Sequence, residues 1–176
     1  MINANADAMG IIFPNNYDKF VPELVSERLM ASIPFASRYR MIDFLLSSMV
    51  GCGIDKIEVL VRENYHSLVD HLGGGREWDL SRKNGGLSIF PPFAQKSIGS
   101  MGGGRVEALA NILPVLKKQK EKYVIMADTN IAANFDFNAL IAQHVKTDAD
   151  ITFAYTKEEL PQGLVQKMQV KGFIIR

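Results

Sequence analysis

Met41-Ile42-Asp43-Phe44-Leu45-Leu46-Ser47-Ser48-Met49-Val50-Gly51-Cys52-Gly53, followed three residues later by Ile57-Glu58-Val59-Leu60-Val61, sets a helix against a strand. Apolar residues at 41, 42, 44, 45, 46, 49 and 50 form a broad helical face, and the two glycines are plausible stops. The run at 57–61 is short and rich in β-branched residues, as a buried strand requires. Working outward, the same alternation recurs. Upstream, Ala8-Met9-Gly10-Ile11-Ile12-Phe13 reads as a strand stopped by Pro14-Asn15-Asn16. Downstream come a short helix at 67–72 closed by three glycines, a strand at 87–90, a helix at 106–116 and a strand at 123–126. A helix at 137–145 and a strand at 151–155 follow. Strands apolar on both faces, separated by helices, predict an α/β, Rossmann-like fold with a mainly parallel sheet and helices on both faces. In such a sheet ligands collect at the carboxyl ends of the strands. The last strand, Gly172-Phe173-Ile174-Ile175, has no helix after it, so the doubly wound pattern reads as incomplete.

The composition narrows the function without choosing one. The 176 residues are 47% hydrophobic and 22% charged, with 20 Lys and Arg against 19 Asp and Glu, a net charge of +1. That balance gives no basic footprint for nucleic acid or an anionic membrane, and no apolar run is long enough to span a bilayer. Cys52 stands alone, so no intrachain disulfide or thiolate metal site is possible, which fits a reducing cytoplasm. No basic-then-apolar leader precedes Asp7. His66 and His71 lie five apart, outside the i, i+4 spacing of a helical zinc pair, and His144 is remote from both. The expectation for all three is a satisfied or exposed imidazole. Trp78 is expected to pack. No Gly-x-Ser-x-Gly elbow, Cys–His pairing or dinucleotide fingerprint occurs.

The run Arg28-Leu29-Met30-Ala31-Ser32-Ile33-Pro34-Phe35-Ala36-Ser37-Arg38-Tyr39-Arg40-Met41-Ile42-Asp43-Phe44 carries more. It resembles the segment R-A-K-P-A-V-P-F-G-G-K-Y-R-I-I-D-F of the ADP-glucose pyrophosphorylase (glucose-1-phosphate adenylyltransferase) family. The likeness continues through Leu46-Ser47-Ser48 to Gly53-Ile54 and through Tyr65 to Leu72. Gly75-Arg76-Glu77-Trp78-Asp79-Leu80 with Gly85-Gly86-Leu87 looks like the glycogen-biosynthesis regulatory-like (D-type) form within it. The resemblance spans roughly residues 8 to 155. It implies a nucleotidyltransferase fold, with the chain as the amino-terminal part of a sugar-nucleotidyltransferase-like domain over 1–176 and the family's carboxy-terminal β-helix outside it. It also implies a reaction in which glucose 1-phosphate attacks the α-phosphorus of ATP to give ADP-glucose and diphosphate. Magnesium neutralises the developing charge, and the protein contributes positioning and electrostatics.

Three functional positions of the family depart from its pattern here. Where catalytic relatives have a glycine-rich phosphate loop, this chain has Pro14-Asn15-Asn16-Tyr17-Asp18. Pro14 lacks an N–H, the asparagines carry side chains, and Asp18 adds a repelling charge. Taken alone, the stretch is a turn. The family lysine falls at Met30, a thioether without charge or donor. Arg28 and Arg38 nearby would hold a phosphate or lie solvated on the surface. The family's metal-binding aspartate falls at Asn130, whose amide brings oxygen but no negative charge. With a shifted register Asp128 takes that place, or it caps the following turn. Gly104 and Glu107 match the glycine and acidic residue of the nucleotide-binding segment, whereas Arg105 replaces a small hydroxyl residue. The resemblance therefore implies a subunit that is catalytically weak and modulates a catalytic homologue in a hetero-oligomer, with ATP, ADP-glucose or a sugar phosphate as possible ligand. An active nucleotidyltransferase with altered site residues, and a non-catalytic nucleotide or sugar-phosphate sensing module, remain the alternatives.

Overall fold

The structure, a computed structural model, describes residues 7–14, 18, 21–82, 85–91, 105–130, 132–155 and 170–175. Its order is β1 (Ala8–Phe13), α1 (Pro22–Val25), β2 (Pro34–Phe35), β3 (Tyr39–Arg40), α2 (Met41–Gly51) and β4 (Lys56–Leu60). Then come α3 (His66–Leu72), β5 (Gly86–Phe90), α4 (Arg105–Leu116), β6 (Tyr123–Asp128), α5 (Phe137–Thr147), β7 (Ile151–Tyr155) and β8 (Val170–Ile175). The larger sheet runs β5-β4-β1-β6-β8-β7, and β2 and β3 form a separate hairpin.

The pairings β5–β4, β4–β1 and β1–β6 are parallel, as the alternation predicts. The last strand departs from that rule. β8 pairs antiparallel with both β6 and β7, so it sits between them and separates β7 from the parallel block. A strand pattern without a following helix fixes neither direction nor position, which is why the sequence left this element without a place.

Side-chain alternation along β1 divides the core. Ala8 and Ile12 join Ile42, Leu46, Met49, Leu68, Leu72, Phe137 and Ile141 on one face, under α2, α3 and α5. Met9, Ile11 and Phe13 join Leu60, Met126 and Ile112 on the other, under α4. Gly10 is where α2 comes closest, since a Cβ there would lie 2.7 Å from Met49 Sδ. Gly86, at φ +83°, opens β5 where a Cβ would lie 2.3 Å from the Leu80 carbonyl oxygen, so only glycine fits.

The helix placement holds one departure from a plain doubly wound sheet. The β1–α2–β4 and β6–α5–β7 connections cross the sheet in opposite directions, yet α2 and α5 share a face. The two crossovers are therefore of opposite hand, against the strong preference for one hand when the joined strands are neighbours. β8 lies between β6 and β7, so the α5 connection does not join neighbours. Ile151, Phe153 and Tyr155 of β7 are 48%, 54% and 64% exposed.

Local chemistry sets the helix ends. Asp43 at the third position of α2 accepts the Arg40 backbone N–H at 2.9 Å, closing a capping box. Asp136 begins α5 and accepts from the Ala139 N–H at 3.0 Å, while Asp148 ends it at φ +47°. No described helix is long and apolar enough to cross a membrane.

Candidate functional site

β1 lies between β4, reached next along one direction of the sheet, and β6, reached by the return crossing through α4. The carboxyl ends of β1 and β6 are thus the point where strand order reverses, the place where open α/β sheets hold ligands. Phe13 and Asp128 are register partners there. Pro14 follows, buried, and its carbonyl oxygen accepts a hydrogen bond from Thr129 Oγ1 at 3.4 Å. Arg105, the first residue of α4, lies across this end. Its Nη2 donates to Asp128 Oδ2, and its guanidinium carbon is 5.7 Å from the centre of the Phe13 ring.

Several residues singled out from sequence meet here. Pro14, Asp128 and Asn130 all stand at the ends of β1 and β6, two strands that are neighbours in the sheet. Glu107 is in the first turn of α4. Arg28 and Met30 are half-buried on the segment leading into the hairpin, with Met30 opening a short 3-10 turn. Asp18 is not simply a repelling charge in the bend, because its Oδ1 accepts the Met30 N–H at 2.9 Å and ties the two segments together. Arg38 is exposed and donates to the Tyr39 hydroxyl at 3.3 Å. Asn15, Asn16 and Gly104 lie outside the described residues.

Sequence reasoning missed the Arg105–Asp128 pair. It noted both residues, but 23 positions separate them and no periodicity joins them. One signal was available: an arginine opening a helix opposes the helix dipole, and so asks for a nearby carboxylate.

The donors at this crevice fit a divalent metal poorly. Magnesium takes oxygen ligands and relies on carboxylate charge. The carboxylate at the end of β6 is already neutralised by Arg105, and Asn130 is a neutral amide whose buried Oδ1 has no hydrogen-bond partner. Among the described residues no group of three or more His, Cys, Asp or Glu side chains could hold a metal ion.

A second concavity, an open cleft of about 220 Å³, lies between the start of α2 and residues 133–134. Tyr39, Asp43, Phe44, Ser47 and Asn134 are on its walls, and it contains none of the nucleotide- or metal-site candidates. Its carboxylate is committed, since His71 Nε2 lies 2.6 Å from Asp43 Oδ1. Trp78 packs edge-on to that imidazole at 6.0 Å, the packing role expected of it. His144 is buried, with Nδ1 2.7 Å from Thr152 Oγ1, and His66 is exposed and stacks on Tyr65.

Comparison with known proteins bears on the family and the fold. The glycogen biosynthesis protein GlgD of Geobacillus stearothermophilus is 36% identical over 151 residues, 84% of this chain and 43% of that protein. GlgD of Bacillus subtilis is 33% identical over 149 residues, with the same shares. The glucose-1-phosphate adenylyltransferase of Thermomicrobium roseum is 35% identical over 133 residues, 74% of this chain and 31% of that protein. The chain thus spans less than half the length of these curated relatives. Among solved structures, a putative glucose-1-phosphate thymidylyltransferase from Bacillus anthracis superposes with a TM-score of 0.68. It covers 96% of this chain and 71% of its own at 12% identity, a likeness of fold. The family model described as nucleotidyl transferase matches residues 23–166, a span that takes in α2, β4 to β7, Arg105 and Asp128 but not β1, and the chain belongs to the nucleotidyl transferase family.

Proposed function

We propose that this chain is the amino-terminal, sugar-nucleotidyltransferase-like part of a glycogen-biosynthesis subunit. The subunit resembles glucose-1-phosphate adenylyltransferase, turns over weakly by itself, and modulates a catalytic homologue in a cytoplasmic hetero-oligomer. The observation that carries this reading is the ion pair at the strand ends: the single carboxylate closing β6 is neutralised by Arg105. A reaction that builds charge on a transferring phosphoryl group depends on preorganised cations and amide donors around it. On this reading Pro14, Asn15 and Asn16 replace the amide cradle, Met30 replaces the lysine, and Asn130 replaces the metal carboxylate. Magnesium affinity is correspondingly low. Gly104 and Glu107 are the nucleotide contacts on this reading, and Arg28, two residues before Met30, is a cation beside the lost lysine in sequence. The similarity to the glycogen biosynthesis protein GlgD of Geobacillus stearothermophilus and of Bacillus subtilis supports the assignment to glycogen synthesis.

The test is ADP-glucose formation from ATP and glucose 1-phosphate with Mg²⁺, first with the chain alone and then with the catalytic homologue. Turnover alone should fall on the order of 100-fold or more below that of the homologue, the scale of losing one preorganised electrostatic group. Mixing should change the homologue's rate or its ligand dependence. Turnover alone at the homologue's level would reject the proposal. It would favour a second reading, supported by the placement of Asp128 at the end of β6, in which the chain is an active transferase that uses this carboxylate.

A further inference from the structure

The cleft between the start of α2 and residues 133–134 has braced walls. Buried Ser48 is the strut. Its hydroxyl donates to the Phe44 carbonyl at 2.8 Å and accepts the Phe135 N–H at 3.2 Å, which ties the segment after β6 to the helix. Rings hold the β2–β3 hairpin to the same helix: Phe35 meets Phe44 edge-on with centres 5.3 Å apart, and Tyr39 lies 6.2 Å from Phe44. A cleft braced in this way needs little ordering when a ligand enters.

The lining is close to neutral. Among its described residues there is no lysine or arginine, and the one charged group, Asp43, is buried with both oxygens engaged. Oδ2 accepts the Arg40 N–H and Oδ1 lies beside His71 Nε2. Arg38 lies over the Tyr39 ring, its guanidinium carbon 5.3 Å from the ring centre, and is not a lining residue. Ser47 and Asn134 are exposed, and no hydrogen bond among the described residues engages either side chain. The Tyr39 hydroxyl accepts from Arg38 Nη2 and keeps its own proton to donate.

We propose that this cleft binds a neutral pyranose sugar, either free or at the end of an oligosaccharide. The ring's C–H face lies toward Tyr39 and Phe44, and its hydroxyls meet Ser47, Asn134 and the Tyr39 O–H. Size and charge select this class. The volume of about 220 Å³ is below the roughly 300–1,000 Å³ of pockets for drug-sized molecules, so it takes a single ring rather than a nucleotide. A phosphate finds no described counter-charge on the walls, whereas a ring with C–H faces and hydroxyls round its edge matches both the aromatic carbon and the unpaired polar groups. The cleft shares no lining residue with the strand-end crevice. The inference does not rest on the proposed function, and its test reads binding, not turnover.

The experiment titrates glucose and maltotriose into the isotope-labelled whole chain and follows backbone and side-chain amide signals by NMR. Saturable shifts should centre on Phe44, Ser47 and the Asn134 side-chain amide, with a Kd on the order of 1 mM for a small ring in an open cleft. Ser47→Ala and Asn134→Ala, both at exposed positions, should each weaken binding about fivefold. Tyr39→Ala, which removes an aromatic wall and a donor, should weaken it about tenfold or more. Should that variant fail to fold, Tyr39→Phe keeps the ring and should still cost about fivefold through the lost donor. A maltotriose Kd equal to that of glucose assigns the cleft to a free ring, and a tighter one assigns it to a chain end. Adenosine and glucose 1-phosphate are the opposing probes. The proposal is overturned if no shift appears at the cleft up to about 50 mM sugar, or if the shifts lie only elsewhere in the chain. Unchanged sugar binding in a folded chain carrying both Ser47→Ala and Asn134→Ala overturns it too. So does adenosine or glucose 1-phosphate seated in the cleft more tightly than glucose, which would give the site to a stacked base or to a phosphate held by Arg38.

Discussion

The two faces of the sheet are built differently. On one, three helices bury Ile42, Leu46, Met49 and Leu68 completely, and most polar groups there are tied down. Asp43 takes the Arg40 N–H and lies beside His71, and Ser48 Oγ donates to the Phe44 carbonyl at 2.8 Å and accepts the Phe135 N–H at 3.2 Å. His144 is the exception, with a buried Nε2 that lacks a partner. On the other face α4 is the one described helix over a smaller cluster, with Ile112 its one buried residue. That thin side carries both Glu58, with a buried Oε2 lacking a partner, and the Asp128–Arg105 pair. Charge has collected where apolar packing is thinnest. The heavily covered face secures the fold, and the lightly covered face is where side-chain chemistry has room to vary.

The largest expected effect would break this comparison outright. Leu46→Ala, on the closed face, should cost about 3 kcal/mol in urea unfolding, within the range for a fully buried leucine. A cost below about 1 kcal/mol would mean that the closed face is not the main support. Next, Asp43→Ala should cost about 2 kcal/mol, because the cap is lost and the Arg40 N–H is left without its acceptor. Leu109→Ala on α4 should cost about 1 kcal/mol by the same measurement, since that side chain is only partly buried. A Leu109 cost equal to that of Leu46 would erase the distinction between the faces.

The smallest effect has the opposite sign. Burial pushes the Glu58 carboxyl above its ordinary range, against the lowering influence of its hydrogen bond with Ser88 and of Lys56. The folded chain therefore holds this proton more tightly than the unfolded chain. Stability from this group is fully present below the unfolded carboxyl's pKa and is lost as pH rises through the raised folded value. Glu58→Gln should consequently gain on the order of 1 kcal/mol or less at pH 7, and the gain should vanish as pH falls below about 4. Paired denaturant melts at the two pH values check this. An advantage that grows in acid would mean that the ionised carboxylate is well solvated or well paired.

Much of this architecture was readable from sequence, and the gaps have physical causes. The strands at 8–13 and 151–155 emerged at their true limits, and α2 within a residue, because period and stop signals agreed there. The β2–β3 hairpin was not visible, since two-residue strands leave no alternation to detect, and the left-handed residues at its turn are Ala36 and Ser37 rather than glycine. β8 was recognised as a strand and not as an insertion between β6 and β7, because partner and direction are tertiary facts. At the crevice the individual residues Pro14, Asp128 and Asn130 could be named from the family's pattern. What could not be read was that Asp128 spends its charge on Arg105, a contact made only when α4 docks against the ends of β1 and β6.

The inserted position of β8 also dictates an order of assembly. β5, β4, β1 and β6 have all emerged once residue 128 is made, and they can zip together from nearby partners. β7 is made next but has no described strand to join, because its one neighbour among the described strands is β8. During synthesis the far edge must wait for the residues after 169, and a chain cut before them would strand Ile151–Tyr155 as an unpaired ribbon beside a finished half-sheet.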